Sequence, residues 1–163
     1  MQDFKKLRVW NLAHALSMRV IRALPERRAR AVPGLRAQAI RAATSVAANI
    51  AEGCAHATRQ RFLQFLEIAL GSLNELEGDL LVARDAGVID SATYVDLQAD
   101  LVLVRRMLLS LMRTVERHIA DETSRRRDPP DRRHAVEPVD AVDAVDAVDP
   151  DRPSKRTPNA VLP

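Results

Sequence analysis

The chain reads as an all-α protein, an antiparallel up-and-down four-helix bundle with a disordered C-terminal tail. Three observations predict this. Apolar residues recur at three- and four-residue steps in four separate stretches, the period of a helix with one buried face. Proline or glycine stands at the breaks between the stretches. From Ser124 onward the composition shifts to arginine, aspartate and proline with no aromatic residue. The boundaries that follow are a bundle domain over 1–123 and a low-complexity tail over 124–163. With 163 residues, 47% hydrophobic and only 3% aromatic, the first part suits one small domain with an aliphatic core.

Leu7, Trp10, Ala13, Leu16, Val20, Ile21 and Leu24 form the apolar stripe of the first helix, which Pro25 ends. His14 falls near that stripe and reads as a hydrogen-bonded packing residue rather than a ligand. Glu26 to Pro33, with Arg27, Arg28 and Arg30, is a basic connection. Pro33 suits the first position of the second helix, where a missing N–H costs nothing.

The second helix, Leu35 to Gly53, carries Leu35, Ala39, Ala42, Ala43, Val46 and Ile50 on one stripe. So small an apolar face requires close neighbours, which makes this the central helix. Gln38, Ser45, Asn49 and Glu52 form a second, polar row, and Gly53 supplies the stop. Cys54, Ala55, His56 and Ala57 are a short hinge. Thr58 is placed to cap the third helix, which buries Phe62, Phe65, Leu66, Ala69, Leu73, Leu76, Leu80 and Ala83 and closes at Gly87.

Asp90 or Ser91 opens the fourth helix, where Tyr94, Leu97, Leu101, Val104, Leu108, Leu111 and Val115 keep an unbroken seam. Val102, Met107, Leu109 and Met112 widen its apolar stripe beyond one bundle interior and predict a second contact surface, hence an oligomer. The tail holds two arginine clusters and the triplet repeat from Val139 to Asp149. Such a composition does not bury a core.

Net charge is +3, but residues 1–61 hold 12 Lys and Arg against 3 Asp and Glu, while residues 62–123 hold 5 against 11. A folded unit with one basic and one acidic half attracts copies of itself or an acidic partner such as nucleic acid. Oppositely charged helix pairs attracting within one bundle explain the same pattern. The lone cysteine and the charged start predict a cytoplasmic protein. No apolar run approaches the length of about 20 residues that spans a membrane.

The segment Ser45-Val46-Ala47-Ala48-Asn49-Ile50-Ala51-Glu52-Gly53 resembles the signature of the four-helix-bundle family named for the intervening sequences of 23S ribosomal RNA genes. Phe62 to Leu76 is similar to that family's second characteristic run, and the opening Phe4 to Trp10 with Ala13 and His14 is similar as well. The resemblance covers about residues 4–120. It implies a four-helix bundle assembled as a homopentamer, and a likeness to the basic, pentameric accessory protein of diversity-generating retroelements implies nucleic-acid binding. The chain departs from the family pattern at Ala55, His56 and Ala57, where glycine and arginines are common, at Arg61, where an acidic residue is usual, and at Ala47 or Ala48, which replaces a proline.

Catalytic chemistry is not expected. None of the four histidines follows a glutamate by three residues, as a diiron bundle needs, and neither a zinc spacing nor a phosphate loop is present. Cys54 and His56 are neighbours in sequence without a third member. No metal and no cofactor follow from these residues. Ser45, Asn49, Glu52, Ser72 and Glu75 read as a structural polar network that fixes helix register, with Glu52 facing the start of the third helix. Arg36, Arg41, Arg59 and Arg61, with Arg27, Arg28 and Arg30 nearby, are the candidates for nucleic-acid phosphates. The function expected is non-catalytic binding of RNA or other nucleic acid through the basic helix 1–2 half. A protein scaffold or accessory subunit without nucleic-acid contact is the competing reading.

Overall fold

A computed structural model describes residues 3–127 of the chain. After a 3-10 turn at Phe4–Lys6 come α1 (Arg8–Ala23), α2 (Glu26–Ala29), α3 (Leu35–Ala55), α4 (Arg59–Asp85) and α5 (Ser91–Arg127). The described residues are all-α, with no strand among them. The expected tail from 128 onward lies outside the described residues. Residues 124–127 continue α5.

Local chemistry sets most of the helix ends. Thr58 accepts a hydrogen bond from the Arg61 amide through its side chain, as an N-cap should. Gly87, at φ 69°, lets the chain leave α4 in a left-handed turn. There the Val88 amide donates to the Ala83 carbonyl at 2.8 Å and the Gly87 amide to Arg84 at 2.9 Å, which satisfies carbonyls the helix leaves open. Asp90 opens α5: its carboxylate accepts from the Thr93 amide at 2.7 Å. That bond, then the Thr93 hydroxyl, hold its carboxyl below the usual range.

Three expected boundaries move. The basic connection is not all loop, because Glu26–Ala29 makes one helical turn behind Pro25. Pro33 is not the first residue of the next helix. Gly34, at φ 85°, caps α3 and the helix starts at Leu35. Gly53 does not stop α3, which runs on through Cys54 and Ala55 and ends at His56.

Four contacts close the long helices on one core. α1 meets α3, α3 meets α4, α4 meets α5, and α5 meets α1. α4 folds back along α3, as Gly53 against Phe62 and Phe65 and Ser45 against Ser72 show. Arg19 of α1 pairs with Asp100 of α5, and Arg36 of α3 donates to the Leu24 carbonyl behind α1 at 2.8 Å. Leucines from α1, α4 and α5 fill the interior, and α3 contributes mainly alanine, Val46 and Ile50. This division lets α3 approach its neighbours closely, since alanine methyls keep helix axes nearer than leucines do.

Met112 does not widen a second surface. It is buried in the core, and Met107 and Leu109 pack against that core. Val102 is exposed as expected, joined by Val95 and Leu103 on α5 and by Ile68, Leu81 and Val82 on α4. His14 packs, through its ring rather than by burial. It is exposed and stacks flat on Trp10, centroids 5.3 Å apart.

Candidate functional site

The polar row of α3 meets α4 at three residues. The Ser45 and Ser72 hydroxyls lie 2.9 Å apart. Asn49 Nδ2 donates to the Ser45 carbonyl at 2.8 Å and to its hydroxyl at 2.9 Å, and the Ser72 hydroxyl donates back to the Ile68 carbonyl at 3.1 Å. These bonds satisfy one another in the seam between two helices and leave no reactive group. Glu52 and Glu75 are exposed and do not join the three. Thr58 already caps α4, so Glu52 is not needed at the start of that helix.

A buried acid stands one turn further along. Asp79 is only 7% exposed and its Oδ2 has no hydrogen-bond partner. Burial first and then the Glu75 carboxylate push its carboxyl up, against an opposing pull from Arg41. Its signal was present in the sequence, because Asp79 follows Ser72 by seven residues and falls on the stripe between Leu76 and Ala83. A second group that periodicity does not flag joins α4 to α5. Glu77 accepts from Gln98 Nε2 at 2.6 Å and from Arg105 at 2.6 Å, and Arg105 also reaches Asn74 at 3.1 Å. The Arg105 bond, followed by the Gln98 bond, holds the Glu77 carboxyl below the usual range.

The four candidate arginines do not converge. Arg36 is half-buried, with Nε on the Leu24 carbonyl at 2.8 Å and a terminal nitrogen 3.8 Å from Glu26. It works as a helix-end clasp. Arg59 pairs with Glu122. Arg61 donates to Gln64 at 2.9 Å and its guanidinium lies 5.3 Å from the Phe65 ring centre. Arg41 is exposed. Arg36 lies in the first turn of α3 and Arg59 opens α4 beyond the other end of α3, a helix about 30 Å long. On the opening turn and α1 to α3 the cations without an ion pair among the described residues are Lys5, Lys6, Arg8, Arg22, Arg27, Arg28, Arg30 and Arg41, while Arg61 on α4 and Arg106, Arg113, Arg117 and Arg125 on α5 have none either.

A cleft of about 520 Å³ lies between the α3–α4 turn and α5, with Gly53, Cys54, His56, Thr58, Arg59 and His118 in its wall. Cys54 is buried. Burial, then Asp3, push its thiol up, which is the wrong direction for a nucleophile. No cluster of metal-ligating side chains occurs among the described residues.

The family model described as 23S rRNA-intervening sequence protein matches residues 5–110. The chain belongs to this family. The matched span contains both blocks that carry the resemblance, the run ending in Asn-Ile-Ala-Glu-Gly and the run from Phe62. A crystal structure of a protein of unknown function from the S23 ribosomal protein family of Bacteroides thetaiotaomicron is similar. It is 23% identical, with a TM-score of 0.57, over 64% of this chain and 97% of that one. That likeness concerns the fold. The comparison with curated proteins gives no match.

Within the family block, Gly53 has a physical role here that differs from a stop. A Cβ on it would sit 2.7 Å from Phe62 Cδ2 and 2.9 Å from Phe65 Cβ. Glycine therefore lets α4 start directly against the end of α3. Asn49 two-handedly fixes Ser45, which in turn meets Ser72 of the second block. The two blocks of the family are thus the two sides of one helix contact.

Proposed function

We propose that this chain is a non-catalytic, self-associating protein that binds RNA or other nucleic acid through the face formed by the opening turn, α1, α2 and α3. The observation that carries this reading is the excess of exposed cations without an ion pair on these elements, Lys5, Lys6, Arg8, Arg22, Arg27, Arg28, Arg30 and Arg41, where Asp3, Glu26 and Glu52 are the only acids. Cations left without internal pairs retain their attraction for phosphate, and affinity built on them falls steeply with salt. The family name, which refers to 23S rRNA intervening sequences, agrees with an RNA setting, and the cytoplasm is the compartment that suits it. No helix of the described residues is long and apolar enough to cross a membrane.

The long helices are read as an antiparallel up-and-down four-helix bundle, on the strength of the cycle of contacts from α1 through α3, α4 and α5 back to α1. The bundle occupies 1–123 and a low-complexity tail follows. Copies assemble into a ring, a homopentamer by family likeness. Exposed Ile68 and Val82 on α4 and Val95, Val102 and Leu103 on α5 favour such an apolar contact. They equally favour the second reading, a protein scaffold without nucleic-acid contact.

Size-exclusion chromatography with light scattering and absorbance at 260 nm, before and after a high-salt wash, tests the proposal. A ring carrying nucleic acid that salt removes is expected. A ring that carries none and binds no added RNA moves the assignment to the scaffold. A monomer contradicts the assembly.

A further inference from the structure

The cleft between the α3–α4 turn and α5 adjoins a groove lined by Arg8, sharing Leu111 and Thr114 with it, but its own lining is chemically distinct. Phe62, Leu111 and Val115 give it an apolar side, Thr58 and Thr114 supply hydroxyls, and His56, Arg59 and His118 supply rings and charge. No carboxylate lines it. Glu122, the partner of Arg59, lines a neighbouring groove instead. The volume of about 520 Å³ falls in the range of small-molecule sites.

The His56 ring lies on Phe65, centroids 4.8 Å apart and planes 14° from parallel. His56 lines the cleft and Phe65 does not, so the ring face turned from Phe65 is the one a ligand meets. A flat ring braced from behind is a stacking platform, and a base stacked there gains affinity without sequence preference. Arg59 spends one terminal nitrogen on Glu122 and keeps the other donors of its guanidinium for an anion.

We infer that this cleft is a nucleotide site, where an unstacked base lies on the open face of His56 and its phosphate is held by Arg59 and His118. The choice of an aromatic phosphate over other apolar anions rests on the nucleic-acid reading. His56, Arg59 and His118 are not among the cations invoked for the basic face, so substitutions distinguish failure of the cleft from failure of that reading. Glu122 competes with the phosphate for Arg59 and sets how tightly it is held.

The full chain is titrated with uridine monophosphate and, separately, with a short oligouridylate, following the imidazole resonances of His56 and His118 by NMR and affinity by calorimetry. Both rings shift on binding. His56→Ala weakens binding by about tenfold, the loss expected for one stacked base, while Glu122→Gln strengthens it, an effect that a folding defect does not produce. Binding of the mononucleotide marks a free-nucleotide site, and binding of the oligomer alone marks a pocket for one nucleotide of a strand; either supports the inference. If neither ligand moves the two rings, the inference is overturned. If the oligomer binds but responds only to Arg27, Arg28 and Arg30 replaced by glutamine, the basic face stands and the cleft assignment fails. If the mononucleotide binds through His56 and longer RNA does not bind, the cleft stands and the nucleic-acid reading fails.

Discussion

The α3–α4 and α4–α5 contacts share a helix yet hold together by opposite means. Against α3, α4 meets alanines and Gly53, linked by the hydrogen bonds of Ser45, Asn49 and Ser72, and carries the buried acid Asp79. Against α5 it meets leucines, with Glu77, Gln98 and Arg105 bridging at the edge. The first contact depends on how close two backbones come, so a single methyl matters. The second depends on buried apolar volume with a charged rim, where exposed pairs contribute little. The two blocks that carry the family resemblance lie on the first contact, where Gly53 and the alanines of α3 leave room for Phe62 and Phe65 of α4.

Substitutions along α4 sharpen this contrast. Gly53→Ala has the largest expected effect, a loss of roughly 1–3 kcal/mol, because the added Cβ overpacks against Phe62 and Phe65; urea unfolding measures it. Next comes Ser45→Ala, which strips the acceptor and donor shared by Asn49 and Ser72. A loss of about 1–2 kcal/mol follows if those groups stay buried and unpaired, and a Ser45→Ala, Ser72→Ala double variant recovers part of it.

Asp79 gives the pH signature of the same contact. Its carboxyl is raised in the folded chain, so the native state holds its proton more tightly than the unfolded state does. Asp79 then contributes stability below the ordinary carboxylate range, and that contribution is lost as pH rises through the raised value. Asp79→Asn removes this slope and makes the protein more stable than wild type near neutrality. Glu77 has the opposite sign. Its carboxyl is lowered, so its contribution is present above the ordinary range and is lost on acidification. Because both partners of the Glu77–Arg105 pair are partly exposed, Glu77→Gln costs less than about 1 kcal/mol at neutral pH. Parallel unfolding series across pH distinguish the two acids.

Gly71 and Gly78 complete the comparison with a reversal. A Cβ on either meets nothing within 4 Å, and both are exposed in mid-helix. Replacing each by alanine raises the stability of the single chain by up to about 1 kcal/mol, since glycine is the poorer helix former. Loss of stability at these two positions would mean that something outside the chain packs there.

Periodicity made the long helices legible, because four stripes of apolar residues need only local steps to be seen. Thr58, Gly87 and Asp90 were legible as caps for the same local reason. Gly53 was not. A glycine at a helix end and a glycine under a phenylalanine look alike in sequence, and only the partner helix tells them apart. The arginines show the same limit more sharply: charge along the chain identified the basic half, but Arg36 and Arg59 are spent on the Leu24 carbonyl and Glu122, contacts 12 and 63 residues away in sequence. Glu52 and Glu75 shared a helical row with the hydroxyls, yet their longer side chains end in solvent. Arg27, Arg28 and Arg30 were legible in the sequence beside the main candidates, but that they keep no ion pair among the described residues is visible only in the fold.

The most direct test of the account is the salt dependence of RNA binding by wild type and by a variant with Arg27, Arg28 and Arg30 replaced by glutamine, measured by fluorescence anisotropy. Wild type should show log affinity falling linearly with log salt, and the triple variant should show a slope shallower by about two to three, close to one counterion for each lost phosphate contact. An equal slope and equal affinity for the two proteins would contradict binding through this face.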